Sequence, residues 1–329
     1  MKTPPFWYPR EGENPAFMSD LLLPASFLFK SGAFLRHLFA KPYRSRVPVI
    51  CVGNVVAGGA GKTPTCLALA NIFKARGYKP CFVTRGYGGQ SSRVGKAICV
   101  NLAQHHAGDV GDEGLLLAAR APTWAGRNRA QAVRQAENYG DIIIMDDGLQ
   151  NPHIAPAFSL LVVDGSSGLG NGRIVPAGPL RETLAEAASK ADAMIVIGAD
   201  RYNLTTQVNI PVIRARIEAD LPMGFPREGR FVAFSGIARP EKFFATARGL
   251  GLDLAATRDY ADHHLFSDSD IDDLRLIAEE QGARLLTTEK DAVRLPLPFR
   301  SEVIVLPVKL VFEGQGEKML VELIGQKLR

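Results

Sequence analysis

Residues Val49 to Pro64 read VICVGNVVAGGAGKTP: an apolar β-branched run, then Gly58, Gly59 and Gly61, then Lys62 and Thr63, with a helical pattern from Pro64. A strand, a glycine-rich turn and a helix start in this order make a phosphate-binding loop, and each residue type has a physical task. The stretch Gly58, Gly59, Ala60, Gly61 lets backbone N–H groups curl around phosphate oxygens, and the helix N-terminus adds its positive dipole end. Lys62 neutralises phosphate charge, and the Thr63 hydroxyl can ligate Mg²⁺. A nucleoside triphosphate is the expected ligand. The full pattern G-x-x-x-x-G-K-[ST] would begin at position 56, which is Val56, so its second half carries the reading.

The 329 residues suit two domains, or one with an appendage, and 46% apolar residues suffice for substantial cores. With 22% charged residues, long disorder is not expected. A formal charge of +5 fits anionic partners, whether nucleotide phosphates, acidic lipid or nucleic acid. Cys51, Cys66, Cys81 and Cys99 form no C-x-x-C pair and are expected as buried, reduced thiols of a cytoplasmic chain. Met1 to Arg10 is proline-rich and aromatic, without a basic start before an apolar core, so no cleavable signal sequence is expected.

Ala16 to Ala40 is rich in Phe and Leu but interrupted by Asp20, Pro24, Lys30 and Arg36, too often for a transmembrane helix. At helical spacing Phe27, Leu28, Phe34, Leu35, Leu38 and Phe39 share one broad arc, with Lys30, His37 and Lys41 beside it. Phe29 and Arg36 depart from the pattern. Such a helix can lie in a bilayer interface or pack on the neighbouring domain, and the pattern allows both.

Beyond the loop, Thr65 to Tyr78 reads as a helix ending at Gly77, and Lys79 to Thr84 as a strand. That strand runs into Arg85 and a glycine-rich turn, where open α/β sheets bind ligands. Asp112 and Glu113 open a helical run, Leu115 to Ala121, and by local pattern are acids complementing a helix dipole. Asp141 to Asp147, DIIIMDD, is an apolar strand ending in paired acids; downstream of Lys62 and Thr63, Asp146 and Asp147 are candidates for the Mg²⁺ side. Strands at Phe158 to Asp164 and Ala193 to Ile197 extend a mostly parallel sheet with helices on both faces.

Val212 to Ala219 and Val303 to Phe312 are expected to pair as a two-stranded connector, with the Gly316 to Leu328 helix returning to the first domain. Between them, strands and helices from Arg230 to Thr288, including a helix from Asp268 to Glu280 capped by Ser267, make a smaller α/β unit. The expected division is an amphipathic segment at 1–46, a phosphate-loop domain at 47–211, and a smaller α/β domain at 212–329.

In order, GNVVAGGAGKTP, TRGYGG, GDE, DDGLQ, GNGRIVPAGPLRE, FSGIARPEKFF, DHH and TEKDAVR, spanning Val49 to Arg294, resemble the tetraacyldisaccharide 4′-kinase family. One departure is Asn151, where many relatives carry histidine. The resemblance implies transfer of the ATP γ-phosphate to the 4′-hydroxyl of an acylated glucosamine disaccharide 1-phosphate, giving lipid IVA in lipid A biosynthesis. It implies a peripheral enzyme at the cytoplasmic face of the inner membrane. By the same resemblance Asp112 is the base on the sugar hydroxyl and His263 orients it, with the pair meeting when two domains close. Thr63, Asp146 and Asp147 hold Mg²⁺, and Arg129 contacts phosphate. A monomer without a nucleic-acid partner is expected.

A rival is a membrane-attached ATPase switch of the partitioning and division-site type, which shares the G-G-x-G-K-T pattern and an amphipathic anchor. Its signature lysine before the paired glycines is Ala57 here. A nucleic-acid-dependent ATPase has only the basic charge to support it, with no interleaved basic and aromatic stripe.

Overall fold

Side-chain alternation builds the first layer. In the computed structural model of the chain, which describes residues 4–9, 16–92 and 95–328, strand β1 (Val49–Gly53) sends Val49 and Cys51 to one core and Ile50 and Val52 to the other. This is the two-residue period of a strand buried on both faces. Of the segment read as Met1 to Arg10, residues 1–3 and 10 lie outside the described residues.

Strands β2 (Pro80–Thr84), β3 (Ile98–Cys99), β4 (Thr123–Ala125), β5 (Ile142–Asp146), β6 (Phe158–Asp164), β7 (Ala193–Ile197), β8 (Val212–Ala219), β9 (Arg230–Ser235), β10 (Asp253–Asp259), β11 (Ala283–Thr288), β12 (Val303–Leu306) and β13 (Val308–Phe312) follow. The larger sheet runs β13-β8-β7-β6-β1-β5-β2-β4-β3, parallel except for its two edge strands. The smaller runs β10-β9-β11-β12 and is parallel.

Helices α1 (Ala16–Leu21) and α2 (Leu23–Leu38) precede the sheet, and α3 (Lys62–Ala75) follows β1. Next come α4 (Ala107–Val110), α5 (Asp112–Ala118), α6 (Arg129–Ala136) and α7 (Leu184–Ala188). The second lobe adds α8 (Pro240–Gly249), α9 (Asp268–Glu280), α10 (Glu289–Ala292) and α11 (Leu297–Arg300), and α12 (Gly316–Leu328) closes the chain. One face of the large sheet is covered by Ala132, Val133 and Ala136 of α6 with Leu184 and Ala187 of α7. The other is covered by Cys66, Leu69 and Phe73 of α3 and by Leu320 and Ile324 of α12, so the last helix does return to the first sheet. Each such aliphatic side chain contributes ~1.5–3 kcal/mol on burial.

Several expectations shift. Helix α3 starts at Lys62, because Gly61 at φ +85° caps it; a Cβ there would also meet Ile197 Cδ1 at 2.3 Å. Helix α5 starts at Asp112, three residues before the expected Leu115. The connector pairing holds for Val212–Ala219 with Val308–Phe312, but these strands extend the large sheet. Val303–Leu306 instead joins the small sheet, and Pro307, which cannot donate to a ladder, separates the two runs. Cys51, Cys66 and Cys81 are buried, whereas Cys99, on the two-residue edge strand β3, is exposed, correcting the expectation for that thiol.

The N-terminal helices are docked by their small polar residues. Ser19 Oγ donates to Ala177 O at 2.6 Å and Ser26 Oγ to Ile174 O at 2.7 Å, and both serines are buried. Asp20 pairs with Arg173 at 2.5 Å and Lys30 with Glu186 at 2.7 Å. The large side chains of the predicted arc point away: Phe27, Leu28, Phe34, Leu35, Leu38 and Phe39 are all exposed. Among the described residues no helix is long and apolar enough to cross a membrane.

Candidate active site

The phosphate loop leaves β1, the central strand where the chain order reverses, at the sheet's carboxyl edge. Its first half is braced from outside: Ala57 N donates to Pro179 O and Arg181 N to Val55 O, both at 2.7 Å. Within the loop Asn54 Nδ2 donates to Gly58 O at 3.3 Å. Gly58 and Gly61 take φ +135° and +85°, conformations that side chains rarely adopt. Lys62 and Thr63 form the first turn of α3, and the loop residues Gly59 and Ala60 lie between.

The paired acids have different surroundings. Thr63 Oγ1 donates to Asp146 Oδ2 at 3.2 Å, while Asp146 Oδ1 is buried with no hydrogen-bond partner. Burial raises the Asp146 carboxyl to about 6, with the Glu113 and Asp147 charges adding to it and Lys62 opposing. Asp147 lies 3.5 Å from Lys62 Nζ and 2.7 Å from Arg181 Nη1. Against the burial that would raise it, these cations hold its carboxyl well below the usual range. An orphaned buried carboxylate oxygen beside a threonine hydroxyl suits a hard divalent cation that prefers oxygen ligands, so these residues fit Mg²⁺.

Asp112 and His263 come together across the two lobes. His263 Nδ1 sits 2.9 Å from Asp112 Oδ2 and 3.1 Å from Oδ1, in a conformation where the lobes already meet. Gly111 before Asp112 takes φ +76°, and a Cβ there would strike Tyr87 O at 2.4 Å, which seats the acid against the TRGYGG turn. Tyr87 also packs on the His263 ring, centroids 5.3 Å apart. Asp147 and His263, at φ +57° and +60°, both hold left-handed backbone, a strain that gathers at functional sites. Burial would raise Asp112, but the His263 hydrogen bond and the nearby cations Lys290 and Arg294 lower it to about 2.

Arg129, at the start of α6, is buried and donates through Nη1 to Gly126 O at 2.8 Å; its Nε has no partner. Burial lowers it to about 10, with the Asp147 and Asp146 charges opposing. Arg85 is exposed. Asn151 forms a turn, its Oδ1 accepting from His153 N at 2.9 Å.

The residue-by-residue reading passed over Lys290, Arg294 and Arg181. Lys290 Nζ lies 2.9 Å from Glu113 and 3.8 Å from Asp112. Arg181 also donates to Gln150 Oε1 at 3.3 Å, and Gln150 Nε2 to Asn54 O at 2.8 Å, tying the second acid to the loop. Their only signal was membership of the TEKDAVR, GPLRE and DDGLQ runs, because no local spacing reveals a contact between lobes.

A family model described as Tetraacyldisaccharide-1-P 4′-kinase matches residues 18–328. A tetraacyldisaccharide 4′-kinase of Parvibaculum lavamentivorans is 48% identical over 301 residues, covering 90% of this chain and 87% of that protein. One from Rhodospirillum centenum is 42% identical over 333 residues, covering 99% and 98%. Among solved structures, LpxK from Aquifex aeolicus in complex with ATP superposes with a TM-score of 0.75 at 24% identity, over 95% of this chain and 100% of that one, a likeness of fold.

Proposed function

The chain belongs to the tetraacyldisaccharide-1-P 4′-kinase family, and from that premise we propose that the Asp112–His263 pair carries its phosphoryl transfer. The enzyme moves the γ-phosphoryl group of ATP to the 4′-hydroxyl of a tetraacyldisaccharide 1-phosphate, a step of lipid A biosynthesis. The observation that supports the assignment is the 2.9 Å contact from His263 Nδ1 to Asp112, made between lobes on the sheet edge that carries the phosphate loop.

A sugar hydroxyl, far less acidic than a carboxylic acid, gains little from early deprotonation in a loose phosphoryl transition state, so positioning and late proton acceptance dominate. Backbone N–H groups of Gly58 to Gly61 and Lys62 hold the phosphates. Thr63 and Asp146 hold Mg²⁺, which when bound neutralises charge on the phosphoryl oxygens. Asp147 orients Lys62, and Arg129 contributes positive charge beside the acids. As the new P–O bond forms and the bond to ADP breaks, the 4′-hydroxyl proton passes to Asp112, whose orientation His263 fixes. A base whose partner sits on the other lobe is complete only when the lobes meet, which limits wasteful hydrolysis.

The exposed apolar face of α2 fits a peripheral position on the cytoplasmic face of the inner membrane. Six Phe and Leu side chains of that arc are each more than half exposed; their transfer to an interface is worth on the order of 10 kcal/mol. An acceptor with four acyl chains stays in the bilayer, so the enzyme must reach it there. The test is incubation with γ-labelled ATP, Mg²⁺ and the tetraacyldisaccharide 1-phosphate: label is expected in the lipid, and label confined to free phosphate would instead support an ATPase switch.

A further inference from the structure

On the far side of the phosphate loop from Asp112, a cleft of about 550 Å³ opens beside Gly58 and Gly59, walled by Ser166, Arg201, Arg239 and Lys242. Strand order fixes its place. Asp112 packs on the turn after β2, whereas Ser166 follows β6 and Arg201 follows β7, on the opposite side of β1. Two strand spacings put the β7 loop roughly 10 Å from the phosphate loop. Dyad, phosphate loop and cleft therefore stand in a row along one sheet edge.

The cleft is cationic, and its cations are held differently. Asp164, at the end of β6, accepts from Arg239 Nη1 at 3.0 Å, from Lys242 Nζ at 2.5 Å and from Ser166 Oγ at 2.6 Å. Arg239 is also stacked on the Tyr8 ring, 5.0 Å from its centroid, so it is fixed twice and ties the second lobe to the first. The Lys242 side chain is 48% exposed and can swing from Asp164 to a ligand. Arg201 is exposed and has no ion-pair partner among the described residues. Three cations face two carboxylates, Asp164 and Glu241, which leaves positive charge for an anion.

The acceptor has such an anion at the appropriate end. Its reacting 4′-hydroxyl and its 1-phosphate stand at opposite ends of the disaccharide, so with the hydroxyl at the γ-phosphate the 1-phosphate projects past the loop. We propose that the cleft receives this phosphomonoester, with Lys242 and Arg201 as its partners and Arg239 as the fixed tie. The assignment rests on the kinase reading above, and charge-assisted hydrogen bonds to phosphate are among the stronger polar contacts.

The test compares the 1-phosphate acceptor with its 1-dephospho analogue in neutral detergent micelles, so that no other lipid phosphate is present. The wild type is expected to favour the phosphorylated acceptor by about tenfold or more in kcat/KM. In the Arg201→Ala/Lys242→Ala double variant that ratio falls toward one through KM for the phosphorylated acceptor. KM for ATP and the melting temperature hold, and Lys242→Arg keeps the preference. A double variant that retains the wild-type ratio overturns the proposal. So does an effect seen only when phosphatidylglycerol vesicles replace the micelles, because the cations would then serve a membrane headgroup. If the wild type labels neither acceptor, the kinase reading fails and this proposal with it; labelling with an unchanged ratio removes this proposal alone.

Discussion

Arg294 Nε stands 3.4 Å from Asp112 Oδ2, and the two side chains are 1% and 4% exposed. The same guanidinium donates to Gly236 O at 3.0 Å and His264 O at 3.2 Å, and pairs with Asp291 at 3.0 Å. One buried cation thus ties the loop carrying His263 to the TEKDAVR turn and to an acid of the other lobe. Replacing it strands buried carboxylates, a loss of about 3–5 kcal/mol. Arg294→Met is therefore expected to lower the melting temperature by on the order of 10 °C, read by calorimetry; an unchanged melt would show that the contact is dispensable.

Lys290 tunes Asp112. The folded-state pKa of Asp112, about 2, lies below that of an unfolded aspartate. Its ionised form therefore stabilises the fold above pH ~4, and that contribution fades as pH falls from ~4 toward 2. Lys290→Gln removes a cation 3.8 Å away, so the native pKa rises. The acid limb of kcat/KM is expected to move to higher pH, and less stability should be lost below pH ~4. A pH–rate profile and acid unfolding measure both, and an acid limb that stays put would dissociate Lys290 from the base.

Lys62 lies 3.5 Å from Asp147 at the start of α3. Lys62→Ala is expected to cut turnover by about 10²-fold or more through lost phosphate stabilisation. Steady-state kinetics check this, and near-normal turnover would remove the loop lysine from the mechanism.

Phe34 and Leu38 are 66% and 63% exposed, so serine at both positions removes little packing. Stability should change by less than about 0.5 kcal/mol per site, while binding to anionic vesicles in a sedimentation assay drops. Unfolding instead would mean that the face is part of the core.

The chemistry of single strands and turns was legible in the sequence; contacts between distant segments were not. VICVG alternates between two cores as a doubly buried strand must, and Gly61 before Lys62 marked the loop. The Ser267 cap appeared as expected, accepting from Asp270 N. By contrast, the docking of α1 and α2 through Ser19 and Ser26 could not be read, because helical periodicity describes which residues share a face and not which face meets the protein. Arg181 and Arg294 escaped residue-level reading for a similar reason: an arginine earns its role from partners more than 30 residues away in sequence. Asp112 resembled a dipole-matched helix start until His263 stood beside it.

The central claim is that Asp112 and His263 act as one unit between lobes, and a double-mutant cycle on kcat tests it most directly. Asp112→Asn and His263→Ala are each expected to lower kcat by about 10²- to 10⁴-fold, with KM for ATP little changed. The double variant should fall no further than the worse single one, because residues of one unit are strongly non-additive. Additive losses would contradict the account, as they would place the two side chains in separate roles.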